Sequence, residues 1–205
     1  MARSEDVKGP LGRLAFANGL FELQTTQSGK KQWNVTILYE KGSDIKVLEE
    51  AALKAATEEW GDKAIQWLKD GLIKSPFLDG DGKQGLSKKT GERHAGYAGT
   101  KFIRCQSGEE YRPRIFNRKV LPAAKDECYS GCYAYPVVNA YTWDNKEQGK
   151  GISFGISMLQ IAKDGERLGG AGGGGDPTEY FEKIEDEGDT PDAAKTASGA
   201  AGLFG

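Results

Sequence analysis

The chain carries a single histidine among 205 residues, which argues against most chemistry that needs an imidazole base. Its three cysteines cannot all pair, and they are sparse. A reducing cytosol fits them better than a secreted disulfide scaffold. Only 7 prolines accompany 29 glycines, and no Gly-X-Y period exists, so a collagen-like chain is excluded. No apolar run approaches the ~18 residues of a membrane helix. The first residues, Met1-Ala2-Arg3-Ser4-Glu5-Asp6, are charged and lack the apolar core of a signal peptide. Phosphate-loop and dinucleotide-binding glycine patterns are missing. Gly149, Gly151 and Gly155 have the wrong spacing for either and fall in a strand-like segment.

What the chain does have is glycine, at about twice its usual share of ~7%. It also has enough apolar residues (38%) for one domain with a sizeable core. Charge is unevenly spread. Residues 1–170 hold 26 Lys and Arg against 22 Asp and Glu, whereas residues 171–205 hold 2 against 8. A mildly basic body therefore precedes an acidic tail. Within the body, residues 83–119 hold ten basic side chains opposed only by Glu92, Glu109 and Glu110. A local positive field of that size attracts polyanions, and contact with phosphates releases condensed counterions. Tyr97, Phe102, Tyr111 and Phe116 interleave with the charge, which a merely solvated loop would not require.

Residues 1–12 are polar and read as a flexible N-terminus. Residues 13–24 are apolar-rich and read as extended, and Gln27 to Lys30 read as a turn. Trp33, Val35, Ile37 and Tyr39 alternate with Gln32, Asn34, Thr36 and Leu38, a period of two that predicts a strand. Ser43 or Asp44 offers a cap for a helix carrying Val47, Leu48, Ala51, Ala52, Ala55 and Trp60. Gly61 interrupts it, and Asp62 starts a second, shorter helix with Trp67, both tryptophans reading as core anchors. Residues 75–95 read as a loop. Further strands are predicted at 96–106, 112–118, 130–144 and 151–163. The run Gly169 to Gly175 reads as a flexible linker. The acidic, Ala- and Gly-rich segment after it cannot bury enough apolar surface to fold alone. The domain reading is thus 1–12, 13–170 and 171–205. Five or six strands with one helical insertion predict a mainly β fold. The leading candidate is the five-stranded Greek-key barrel of the oligonucleotide-binding (OB) fold, followed by a disordered acidic tail.

Single strands are held by a positive groove that tracks phosphates and by aromatic rings on which bases stack. Lys88, Lys89, Lys101, Arg104, Arg112 and Arg114 are the candidate phosphate contacts, and Tyr97, Phe102, Tyr133, Tyr141 and Trp143 the candidate stacking residues. Along 130–143, Tyr133, Tyr135, Tyr141 and Trp143 share one parity, but Pro136 leaves open which parity faces out. Other constellations are weaker. Cys128-x-x-x-Cys132 with Cys105 and His94 makes a zinc set by count, against the simpler reading of buried free thiols. A dyad of His94 with Cys105 or Cys128 is weaker still. Asp79-Gly80-Asp81-Gly82 hints at a calcium loop, but Lys83 falls where an oxygen ligand is required and no Glu follows at the needed spacing. A turn is the better reading. No catalytic residue, cofactor or metal is assigned.

The segments Phe16-Ala17-Asn18-Gly19-Leu20-Phe21, Tyr129-Ser130-Gly131-Cys132-Tyr133-Ala134, Asn139-Ala140-Tyr141-Thr142-Trp143 and Lys150-Gly151-Ile152-Ser153-Phe154-Gly155-Ile156 carry a resemblance. So do Gln160 and Gly165-Glu166-Arg167-Leu168-Gly169-Gly170, together with the Asp79–Gly82 loop. Over roughly residues 13–170 the chain resembles tailed-phage single-stranded-DNA-binding proteins of the elaborated OB fold. The resemblance implies sequence-independent binding of single-stranded DNA in phage replication and recombination, in the cytoplasm of an infected bacterium, without catalysis or cofactor. It also implies an acidic C-terminal tail that contacts replication proteins and competes with DNA. Here that tail holds Glu179, Glu182, Glu185, Asp186, Glu187 and Asp189, with Leu203 and Phe204 at its tip. A neutral stretch with Lys195 separates acid from tip, whereas in docking tails the two are usually adjacent. Alternatives from the residues are an RNA-binding protein or nucleic-acid chaperone of the same fold, and an adaptor whose basic stretch binds acidic proteins. A metal-dependent nuclease using Asp79 and Asp81 is a further one.

Overall fold

Alternation decides which side of each long strand is buried. The computed structural model describes residues 1–26 and 28–168. Among them the strands are β1 (Val7–Lys8), β2 (Gly12–Ala15), β3 (Gln24–Thr25), β4 (Lys31–Glu40), β5 (Ile73–Lys74), β6 (Phe77–Asp79), β7 (Thr100–Gly108), β8 (Arg114–Phe116), β9 (Tyr133–Asn145) and β10 (Gly149–Lys163). Helices α1 (Lys46–Trp60) and α2 (Lys63–Lys69) lie between β4 and β5. On β4, Val35, Ile37 and Tyr39 enter the main core, while Gln32 and Asn34 stay half-exposed on the other side. On β9, Ala134, Val138, Ala140 and Thr142 are buried, and Tyr133, Tyr135, Tyr141 and Trp143 share the opposite, half-buried face. The parity left open by Pro136 is therefore settled: the aromatic parity is the outer one.

Five of these strands close into a ring. β2 pairs with β4, β4 with β7, β7 with β10, β10 with β9, and β9 again with β2. Every pairing is antiparallel except β7 with β10, which is parallel. The ring order from β2 is thus first, second, third, fifth, fourth. One long strand can serve four neighbours, β5, β7, β8 and β9, only if it bends. β10 does so with a register shift between Ile156 and Met158, after which its buried set moves from Ile152, Phe154 and Ile156 to Leu159 and Ile161. The ring encloses Leu14, Ile37, Ile103, Phe154 and Leu159, all fully buried. Each such side chain contributes about 1.5–3 kcal/mol by leaving water.

Helix α1 covers this core through Leu48, Ala51, Ala52, Ala55 and Ala56, a 3–4 spacing on one face. Asp44 starts it by accepting the Lys46 N–H at 3.1 Å, and Gly61 ends it at a φ of +62°. Trp60 and Trp67 pack against the core, as the sequence reading of both as anchors expects.

Three expectations are corrected. Residues 1–12 do not hang free. Val7 and Lys8 pair with Val138 and Val137 of β9, and the Ser4 N–H donates to the Ala140 carbonyl at 2.8 Å. The reason is that β9 reaches past the end of β2 and leaves backbone groups that any chain, however polar its side chains, can satisfy. Residues 13–24 are not one strand: β2 ends at Ala15 and β3 begins only at Gln24. Phe16 then takes a left-handed backbone, φ +56° and ψ +36°, and a 3-10 turn follows over Ala17–Leu20. The 75–95 segment is not all loop, since β6 pairs with β7. Residues 169–205, which include the predicted linker and tail, lie outside the described residues, as does Gln27.

Candidate nucleic-acid interface

Across the outer side of the ring, register brings four polar or bare positions into one line. Asn139 of β9 faces Gly155 of β10, Gly155 faces Gln106 of β7, and Gln106 faces Asn34 of β4. Three steps of about 4.8 Å make this row ~14 Å long. It is flat because the glycine is bare: a Cβ on Gly155 would stand 2.7 Å from Asn139 Oδ1. Asn139 is fixed from behind, donating from Nδ2 to Asp6 Oδ1 at 2.7 Å.

A trough follows the row. Its first cleft, about 690 Å³, lies over Asn139, Gly155 and Gln106, with Arg3, Lys30, Tyr111, Arg112, Arg114 and Tyr141 on its walls. Gln32 and Gln106 also line a second cleft of about 510 Å³, which adds Lys83, Lys88, Arg104 and His94. Phe16, Asn34, His94 and Tyr97 join that cleft to a third, about 640 Å³, reaching Asn18, Gln24 and Ser130. Seven basic residues line the trough against Glu110 and Glu22, and Lys125 Nζ lies 2.6 Å from Glu22 Oε1. That pairing holds the Glu22 carboxyl below its ordinary pKa.

Several of the cations are oriented before any ligand arrives. The Arg112 guanidinium lies over the Trp33 ring at 5.2 Å and near Phe21 at 5.9 Å. Trp33 is fixed in turn by donating from Nε1 to the Glu109 carbonyl at 2.9 Å. Arg104 donates to the Gln84 carbonyl at 3.1 Å, and Arg114 rests on Met158 Sδ at 3.0 Å. Arg3 lies over the Tyr141 ring at 5.6 Å, and the Tyr141 hydroxyl accepts from Gln106 Nε2. Planar cations stacked on rings lose little freedom on meeting a phosphate.

Of the residues singled out in the sequence, the clefts of the trough are lined by Lys88, Tyr97, Arg104, Arg112, Arg114 and Tyr141. Lys89 sits exposed beside Lys88 without lining a cleft. Tyr97 and Phe102 are corrected: they are 2% and 0% exposed and pack on each other at 4.8 Å, so neither offers an open ring face to a base. Lys101 is corrected too. It stands three residues from Arg104, and an odd offset on a strand reverses the face. Its Nζ meets Glu49 of α1 at 3.8 Å. Tyr133 belongs to a different patch, between Arg13 and Lys163, whose Nζ lies 4.3 Å above its ring. Trp143 covers bare Gly151 and donates from Nε1 to Ser153 Oγ at 3.0 Å, beyond the end of the first cleft.

The zinc set does not assemble. Cys105, Cys128 and Cys132 are buried free thiols, and His94 meets the rings of Phe16 and Tyr97 instead. Among the described residues no three His, Cys, Asp or Glu side chains gather closely enough for a metal ion. Burial pushes the Cys105 thiol up, away from thiolate chemistry. Asp79 and Asp81 are structural: Asp81 accepts from Lys41 Nζ at 2.7 Å, Arg93 Nη1 at 2.6 Å and the Gly99 N–H at 3.1 Å. The hydrogen bond from Lys41 holds the Asp81 carboxyl below the usual carboxylate range. This network fixes the 80–99 segment that carries Lys83, Lys88 and His94.

Sequence reasoning misses Arg3, Lys30, Phe16 and the amide row Gln32, Asn34 and Gln106. Arg3 escapes because its segment reads as flexible. Gln32 and Asn34 are legible as the polar parity of β4, but that parity by itself marks only the wet side of a strand, and Gln106 joins them only through the register of β7 with β4.

The fold and trough define a class: a β-barrel protein with a basic, aromatic-bearing furrow shaped for an extended polyanion. The chain belongs to the family described as "Enterobacter phage Enc34, ssDNA-binding protein", whose sequence model matches residues 7–191. It is 30% identical over 169 residues, 78% of this chain and 84% of the relative, to "Putative protein p50" of Acyrthosiphon pisum secondary endosymbiont phage 1. The single-stranded DNA-binding protein of bacteriophage Enc34, solved in complex with ssDNA, superposes with a TM-score of 0.59 at 19% identity, over 80% of this chain and 89% of that one. The single-stranded DNA-binding protein gp2.5 of bacteriophage T7 gives 0.53 at 9% identity, over 92% and 100%. At those identities the likeness is one of fold.

Proposed function

We propose that this chain binds single-stranded DNA without sequence preference, in phage DNA replication and recombination. The observation that carries the reading is the trough: preset arginines and Tyr111 and Tyr141 along a flat floor crossing the barrel. Cations capture phosphates and rings stack bases, each stack contributing ~1–3 kcal/mol. The ring order first-second-third-fifth-fourth, with its single parallel pairing, supports assignment to the OB fold, here with its helices inserted between the second and third barrel strands. Membership of the Enc34 family, and the presence of ssDNA in the Enc34 complex, support the ligand. The engagement of Asp79 and Asp81 by Lys41 and Arg93 supports a non-catalytic role. No helix among the described residues is long and apolar enough to cross a membrane. We place the site of action in the cytoplasm of an infected bacterium.

The reading extends to the acidic residues Glu179 to Asp189 and to Leu203 and Phe204, as a segment that competes with DNA and contacts replication proteins. Their excess of negative charge complements the trough.

The test is a titration of the full chain with homopolymeric single-stranded DNA and with duplex at two salt concentrations, followed by tryptophan fluorescence and anisotropy of labelled DNA. Preference for the single strand and steep weakening with salt are expected. Equal affinity for single strand and duplex, or silence from folded protein at low salt, sinks the reading.

A further inference from the structure

We infer that Phe16 is a second base-stacking site, at the opposite end of the trough from Tyr141, so that one bound strand crosses the barrel between them. The inference rests on the nucleic-acid reading above and adds the path and the far anchor. Phe16 is 49% exposed although it sits between two clefts, where an aromatic ring would ordinarily turn inward. Its φ of +56° is a left-handed conformation that L side chains other than Asn and Asp rarely adopt. A glycine would sit there without strain, so the position is held against the residue's own preference, as happens where function requires a side chain at one spot.

The ring is braced as well as exposed. His94 meets it in a perpendicular contact with centroids 5.1 Å apart, and Tyr97 in another at 6.5 Å. No ring among the described residues lies flat against it, so the stacking geometry is left to a ligand. The backbone beneath is equally constrained. Gly19, three residues on, lies so close to Asn34 that a Cβ would stand 2.3 Å from its Oδ1. Phe16 is thereby fixed to the end of the Asn139–Gly155–Gln106–Asn34 row. Arg104 and Lys88 line the cleft between the row and Phe16, where the intervening phosphates would lie. A ring at each end and cations between are the elements a single-strand groove requires.

The experiment measures binding of a thymidine homopolymer of about 16 nucleotides, within the range of OB-fold site sizes, to the full chain and three variants. Melting temperatures are recorded alongside. Phe16→Ala should weaken binding about 5- to 150-fold, the range spanned by one lost stack. Phe16→Gly should weaken it similarly while melting no lower than Phe16→Ala, because the backbone strain is relieved. Phe16→Trp should stay within about threefold of the parent protein. Irradiation of a 5-iodouridine strand should cross-link the peptide containing Phe16. Unchanged affinity in folded Phe16→Ala or Phe16→Gly overturns the inference while leaving the Tyr141 end intact. Failure of the parent protein to bind overturns the reading of the trough itself.

Discussion

Lys101 and Arg104 lie three residues apart on β7 and point to opposite sides of the sheet, one toward Glu49 of the covering helix at 3.8 Å, the other into the trough. In sequence they are equivalent basic residues of one positive stretch. In the fold only Arg104 can meet a phosphate on the floor. Arg104→Ala should therefore weaken single-strand binding and lower the slope of log affinity against log salt by about 0.7, the value for one phosphate contact. Lys101→Ala should leave the slope unchanged. Matched salt titrations of the two variants check this, and equal slopes would contradict the placement.

The aromatic residues divide in the same way. Tyr141 has its ring on the outer face, with its hydroxyl tied to Gln106. Phe102 is fully buried. Tyr141→Leu should weaken single-strand binding by about 1–3 kcal/mol and leave stability nearly unchanged. Phe102→Ala should cost about 3–5 kcal/mol of stability, the usual loss for a buried aromatic. Denaturant unfolding and DNA titration of both variants separate the roles.

Much of this architecture is legible in the sequence. The β4 alternation, the helix from Lys46, its stop at Gly61 and the long C-terminal pair of strands follow from local pattern alone. Composition also marks the stretch that supplies Lys88, Arg104, Arg112 and Arg114. Facing is not legible for short or buried stretches. Phe102 and Lys101 sit among the same glycines and cations as the true trough residues, and only the register with β4 and the ion pair with α1 assign them inward or away. Nor does local pattern reveal that the polar residues before Val7 complete a sheet edge. That depends on β9 outrunning β2, a fact set by the partner strand and not by the segment itself.

Arg3 tests the N-terminal correction. It lies over Tyr141 in the first cleft because residues 3–8 are laid along β9. Arg3→Ala should reduce the salt slope by about 0.7, like Arg104→Ala. Removing residues 1–8 should do the same and also lower the melting temperature, since the outer edge of β9 loses its partner. If the truncated protein binds with the full slope, the N-terminal strand is no wall of the trough.

Asp81 links acid stability to the site. Hydrogen bonds from Lys41 and Gly99 hold its carboxyl low, and the Asp81 N–H together with Lys41 does the same for Asp79. A carboxylate whose pKa is depressed by folding adds stability above its unfolded pKa of about 3.9, and that stability is lost as pH falls through the lower folded value. Lys41 is shifted up by the same bonds, so its contribution persists until pH rises past the ordinary lysine value. The network is therefore complete at neutral pH and fails in acid. Asp81→Asn should melt below the parent protein at pH 7, and the gap should narrow as pH falls from about 4 toward 3. Because Asp81 also fixes Arg93 next to His94, the same substitution should loosen the wall that carries Lys83 and Lys88 and weaken DNA binding at neutral pH. Melting curves across pH, with a DNA titration at pH 7, decide both points, and a constant gap from pH 7 to 3 would show that the Asp81 charge does not stabilise this segment.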